Sequence, residues 1–212
     1  MQRQGCNTPR PPSQRGSIAT MNRKKIIETL RPYGNIILFF ATMLAANWFW
    51  KLTVHGDEDT VNAMVTWLGI DVSALFDWMT HHAANWAYWV VGLFRDTVSM
   101  PSKNVIAFMS GTSVAVIWGC SGIKQAFIWT CVMLTARGSW KHKTWFIPMG
   151  WILCDLLNIV RIAAIAMITE FHPELFELFH TWIFKYGFYT IMFLIWAVFV
   201  ICFSKSQRVW IL

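Results

Sequence analysis

Residues 32–50 carry no charged side chain, and Arg31 and Lys51 mark the two ends of the run. A helix over such a stretch rises about 1.5 Å per residue, enough to cross the roughly 30 Å hydrocarbon core of a bilayer. Comparable apolar runs follow at about 120–136, 144–169 and 180–204. Inside hydrocarbon every backbone N–H and C=O must be satisfied within the protein, which leaves helices or closed barrels. Runs of this length therefore predict an all-α polytopic membrane protein of about four transmembrane helices. A hydrophobic share of 56% with 14% charged residues fits that class and not an ordinary soluble domain.

Lys and Arg set the orientation. They crowd residues 3–31, 137–143 and 205–208, whereas the connections 51–119 and 170–179 are predominantly acidic. With four spans, all the basic pieces fall on one side. Both termini are expected in the cytoplasm of a multi-pass protein of the cytoplasmic (inner) membrane. The formal net charge of +7 is then topology and not a nucleic-acid footprint. The expected organisation is a disordered basic cytoplasmic N-terminus over 1–31, a membrane domain over 32–204 and a cytoplasmic tail over 205–212. Translation starts at Met1 or Met21, and no cleavable signal peptide is expected.

Residues 54–119 form the extracytoplasmic part. Residues 74–94 include Asp77, His81 and His82, so an amphipathic helix lying on the outer surface is expected in place of a further span. In 104–118, Met109-Ser110-Gly111-Thr112 reads as a turn between two β-branched flanks, which predicts a short β-hairpin.

Polar groups at membrane depth are costly and mark functional sites. Cys120 stands at the outer head of the second run, followed by Ser121 and Gly122, small residues that let a substrate backbone approach, while N–H groups at a helix start favour an anion. Lys124 lies one turn on, on the same face. Arg161 sits in the outer part of the third run and shares a face with Asn158 and Cys154. His180 opens the fourth run with a side chain suited to proton transfer, in competition with His55, His81, His82 and His172. No HExxH-type metal motif or CxxC pair occurs, so neither a metal nor another cofactor is expected. Cys120 and Cys131 lie 11 residues apart, roughly 16 Å along a helix, too far for a disulfide.

In order, the hairpin 104–118 leading into Cys120-Ser121-Gly122-Ile123, then Asn158-Ile159-Val160-Arg161-Ile162, then Phe179-His180 before an aromatic-rich run, resemble the exosortase/archaeosortase family of membrane transpeptidases. The resemblance covers about 104–200. It implies a catalytic set of Cys120, Arg161 and His180, with Ser121, Gly122, Lys124 and Asn158 binding substrate or supporting that set. It also implies a cysteine peptidase that cleaves exported proteins bearing a C-terminal sorting signal, made of a short motif, a transmembrane helix and a basic tail. The acyl group would pass through a thioester to an unknown acceptor nucleophile. Two features depart from the pattern: Thr181 follows the histidine where many members have an acid, and many bacterial members have about twice as many spans. The competing reading is a non-enzymatic transporter subunit or assembly factor in which Arg161 and Asp155 form a buried polar pair. Trp118 and Trp182 are further candidates for lining a substrate cleft.

Overall fold

The computed structural model describes residues 33–57, 60 and 63–203. The expected N-terminal segment 1–31, the tail 205–212 and the end of the fourth run at Ser204 lie outside the described residues. The chain forms two compact units, Met1–Ile37 and Leu38–Leu212. Of the first, Tyr33–Ile37 are described and begin a helix, with Ile37 N–H donating to the Tyr33 carbonyl at 2.9 Å.

Helix α1 runs Gly34–Thr53. A small antiparallel sheet follows, built from β1 (Val54–His55), β2 (Thr66–Trp67) and β3 (Ile70–Asp71). The Asp71 carboxylate accepts hydrogen bonds from the Ser73 hydroxyl and N–H at 2.6 and 2.9 Å, which holds its pKa below the usual value and fixes the start of α2 (Ser73–Gly92). A second three-stranded sheet comprises β4 (Val98–Ser102), β5 (Val105–Phe108) and β6 (Ser113–Ala115). Then come a one-turn 3₁₀ helix (Trp118–Cys120), α3 (Ile123–Thr135) and α4 (Trp140–Phe171). A 3₁₀ turn at Pro173–Leu175 and a wide π turn at Leu178–Ile183 lead into α5 (Phe184–Phe203).

The expected hairpin is present. β5 and β6 pair with Ile106 opposite Val114, and Gly111 turns the chain at φ +88°, a conformation that L side chains rarely adopt. The sequence did not announce β4 or the β1–β3 sheet. Three helical segments are long and apolar enough to cross a membrane: Gly34–Thr53, Trp140–Phe171 and Pro173–Phe203. The expected second span contracts to the 13 residues of α3, a rise of about 20 Å against a core of roughly 30 Å. Its start is displaced because Gly122, at φ +79°, breaks the helical path between Cys120 and Ile123.

Helix α2 lies where a surface helix was expected and does not qualify as a span by hydropathy. Its buried face, with Ala83, Ala84, Ala87 and Val91, packs with Ile162, Ala163 and Ala166 of α4. Small residues on both sides let the helices approach closely. The opposite face differs from a polar one, because it exposes Trp78, Trp86 and Trp89. Beyond α2, Arg95 pairs with Glu170 at 3.0 Å and covers the ring of Phe171 at 4.3 Å, tying this layer to the end of α4.

The main core brings α3, α4 and α5 together with Phe39 and Ala46 of α1. Within it Trp129 packs directly on Gly150, where an added Cβ would collide with the indole ring. Trp129 is 1% exposed and donates to the Phe146 carbonyl at 3.3 Å, so it has little freedom to retreat. Gly150→Ala is therefore expected to destabilise the protein by about 1–3 kcal/mol through overpacking. Thermal unfolding in detergent would show it, and an unchanged midpoint would contradict this packing.

Candidate active site

Cys120 closes the short 3₁₀ turn, its N–H donating to Ile117 O at 2.8 Å while Ser121 N–H donates to Trp118 O at 3.0 Å. The turn is anchored from below by Trp118, a buried ring whose Nε1 donates to the Asp57 carbonyl at 2.8 Å. Gly122 then redirects the chain, and its carbonyl accepts the Ala126 N–H at 3.1 Å as α3 begins. From α4, Asn158 donates Nδ2 to the Cys120 carbonyl at 2.6 Å. The thiol thus sits on a segment held by its own turn and by a buried amide.

Arg161 comes one helical turn after Asn158 on α4, and its Nη2 donates to Cys120 Sγ at 3.3 Å. Its Nε is buried without a hydrogen-bond partner among the described residues. The cavity beside this pair has a volume of about 310 Å³, and His180 forms part of its wall. His180 belongs to the π turn, a wide-turn geometry that recurs at functional sites. Its ring stacks on Phe176, with centroids 5.2 Å apart and planes 7° from parallel. The structure therefore brings Cys120, Arg161 and His180 to one cavity from three separate elements.

The competing histidines are placed elsewhere. His55 contacts the Leu52 carbonyl at 3.1 Å, His82 meets Asp155 at 3.0 Å and His172 meets Glu174 at 3.0 Å. Neither they nor His81 line the Cys120 cavity. The Asp155–His82 contact also corrects the Arg161–Asp155 pair: the two side chains leave α4 on different faces, and each takes another partner.

Other sequence-derived positions divide. Lys124 lines the cavity as expected. Ser121 is 2% exposed and lies 3.5 Å from Ile123 N–H, so it belongs to the start of α3 and is not part of the cavity wall. Gly122 is not among the residues of that wall, and its backbone stands at φ +79°. Cys154 enters the main core. Trp118 supports the turn from behind, and Trp182 is 55% exposed; neither lines the cavity.

Gln125, Lys185 and Tyr189 line the cavity and were missed from sequence. Lys185 carried a readable signal, since a charge inside an apolar run is as conspicuous as Arg161. With Lys124 and Arg161 it makes a wall whose described lining residues include three cationic side chains and no carboxylate. Such a wall stabilises negative charge on a sulfur or on an oxygen formed beside it.

These elements define a membrane protein of several apolar helices with a thiol, a guanidinium and an imidazole around one cavity. The chain belongs to the transmembrane exosortase family, whose model matches residues 36–202. Members of that family are in general cysteine transpeptidases, and the matched region contains Cys120, Arg161 and His180. No curated protein and no solved structure matches the chain.

Proposed function

We propose that this protein is a cysteine transpeptidase that cleaves C-terminal sorting signals of exported proteins and passes the new carboxyl end to an acceptor nucleophile. The observation that carries this reading is the Arg161–Cys120 contact at 3.3 Å in a cavity also walled by His180. The sulfur anion of Cys120 attacks the scissile carbonyl carbon, and the carbonyl π electrons move to oxygen. Arg161, a permanent cation, donates hydrogen bonds to the sulfur before attack and to the oxyanion after it. Collapse of the tetrahedral species breaks the C–N bond. His180, in its protonated form, gives the leaving amine its proton and leaves a thioester on Cys120. The neutral imidazole then takes a proton from the acceptor as it attacks the thioester, and the thiolate departs. Asn158 keeps the Cys120 turn in place throughout.

The basic segments are assigned to the cytoplasm of the inner membrane and the cavity to the extracytoplasmic face, following the Lys and Arg distribution; this assignment requires the 13-residue α3 to cross as a fourth segment. The substrate arrives in the same bilayer, anchored by its C-terminal helix. The test is intact-protein mass spectrometry of an exported protein with such a helix, co-expressed with or without this chain. Loss of the C-terminal peptide in the presence of the enzyme supports the reading, and any added mass gives the acceptor. An unprocessed substrate, paired across a panel of sorting helices with correct insertion of the enzyme, contradicts it.

A further inference from the structure

Two polar atoms of the cavity-lining residues are buried and have no hydrogen-bond partner among the described residues: Arg161 Nε and Gln125 Oε1. The first is a donor and the second an acceptor. The Gln125 side chain makes no hydrogen bond to another described residue. A buried carbonyl oxygen without a donor is destabilising, and native proteins keep few of them. The other buried amide of the site, Asn158, uses its Nδ2 to hold the Cys120 turn, whereas Gln125, in the first turns of α3, is committed to nothing. Much of the surrounding polar wall can only donate, because Lys124, Arg161 and Lys185 have no acceptor atoms. A peptide bond offers both complements: its C=O suits the guanidinium, and its N–H suits an acceptor that the cations cannot supply.

We propose that Gln125 is a substrate-binding residue whose Oε1 accepts an amide N–H of the peptide adjoining the scissile carbonyl, fixing the chain beside Cys120. This rests on the transpeptidase reading and assigns a peptide-backbone contact within the same site. Gln125 neither transfers protons nor bears the acyl group; it sets the angle at which the carbonyl meets the sulfur.

The test uses two small probes in place of the unidentified substrate. N-Methyl-2-iodoacetamide has one amide N–H, and N,N-dimethyl-2-iodoacetamide has none. In both, the thiolate sulfur displaces iodide and forms a C–S bond, so the ratio of their rates cancels changes in thiol reactivity between variants. The full-length protein in detergent is alkylated, and the Cys120-containing peptide is quantified by mass spectrometry, with N-acetylcysteine in the same solution as the reference. The wild-type preference for the N–H probe is expected to exceed that of N-acetylcysteine about fivefold, the effect of one ordinary hydrogen bond. Gln125→Met keeps the shape without the acceptor and should return the ratio to the reference. Gln125→Glu keeps an acceptor oxygen and should retain the preference, so a folding defect in one variant does not decide the matter. An equal ratio in wild type and Gln125→Met, or a wild-type ratio equal to the reference, overturns the assignment. Failure of both probes at Cys120 while N-acetylcysteine reacts would sink the thiol-enzyme reading and this inference together.

Discussion

Cys120→Ala is expected to abolish processing of a co-expressed sorting-signal protein, a loss of about 10⁴-fold or more, while the enzyme remains folded and inserted. The two halves of this expectation have separate grounds. Removing a nucleophile from a covalent mechanism leaves only binding and electrostatic assistance to a reaction that has lost its first step. Structurally, by contrast, little depends on the sulfur. Cys120 is half-buried at the end of a turn whose other restraints are the Trp118 indole, the Gly122 backbone and the Asn158 amide on the Cys120 carbonyl. All three survive loss of Sγ. Intact mass of the substrate measures the first half, and the elution volume of the purified variant measures the second. Processing at even a tenth of the wild-type rate would place the chemistry elsewhere, since the other described cysteines, Cys131, Cys154 and Cys202, are not among the cavity-lining residues.

Much of this site was legible because a polar residue in an apolar run has few structural reasons to be there. Cys120 and His180 stand at the heads of such runs and Arg161 interrupts one, and they converge on one cavity. The long spans were legible for the complementary reason: predominantly apolar sequence of that length folds as α1, α4 and the helical segment that ends in α5. The hairpin followed from Gly111, whose positive φ suits the turn between two β-branched flanks. What escaped depended on side chains that meet only after folding. Nothing in the local sequence around Gln125 shows that its oxygen is buried without a donor, because Gln is ordinary in a helix. The π turn that carries His180 into the cavity wall has no local sequence signature comparable to Gly or Pro. The partner of Asp155 was misjudged because α4 offered Arg161 nearby in sequence, whereas the His82 that meets it comes from α2, 73 positions away. Lys185 is a different kind of miss, since the rule that singled out Arg161 applied to it equally.

Arg161→Lys is expected to slow processing by about 10²–10³-fold, the usual cost of losing an oxyanion-stabilising donor, or roughly 2.7–4 kcal/mol of barrier. Charge is preserved in this variant, so the loss would come from geometry. The guanidinium offers a planar fork: Nη2 already reaches Cys120 Sγ at 3.3 Å, and the buried Nε remains uncommitted. One group can therefore address the sulfur and a second atom at once. A lysine ammonium is a single, strongly hydrated point on a flexible stem, and cannot hold two directions from that position on α4. Arg161→Ala should be at least as severe, because a cavity wall that stabilises negative charge loses the member that donates to the sulfur. The rate of substrate maturation in a pulse–chase experiment separates these variants from Asp155→Asn, which alters the His82 contact and leaves the Cys120 cavity wall untouched. That variant should process substrate within a few-fold of wild type. The opposite ranking, with Asp155→Asn inactive and Arg161→Lys active, would return the polar residues of α4 to a relay or structural role and withdraw Arg161 from the chemistry.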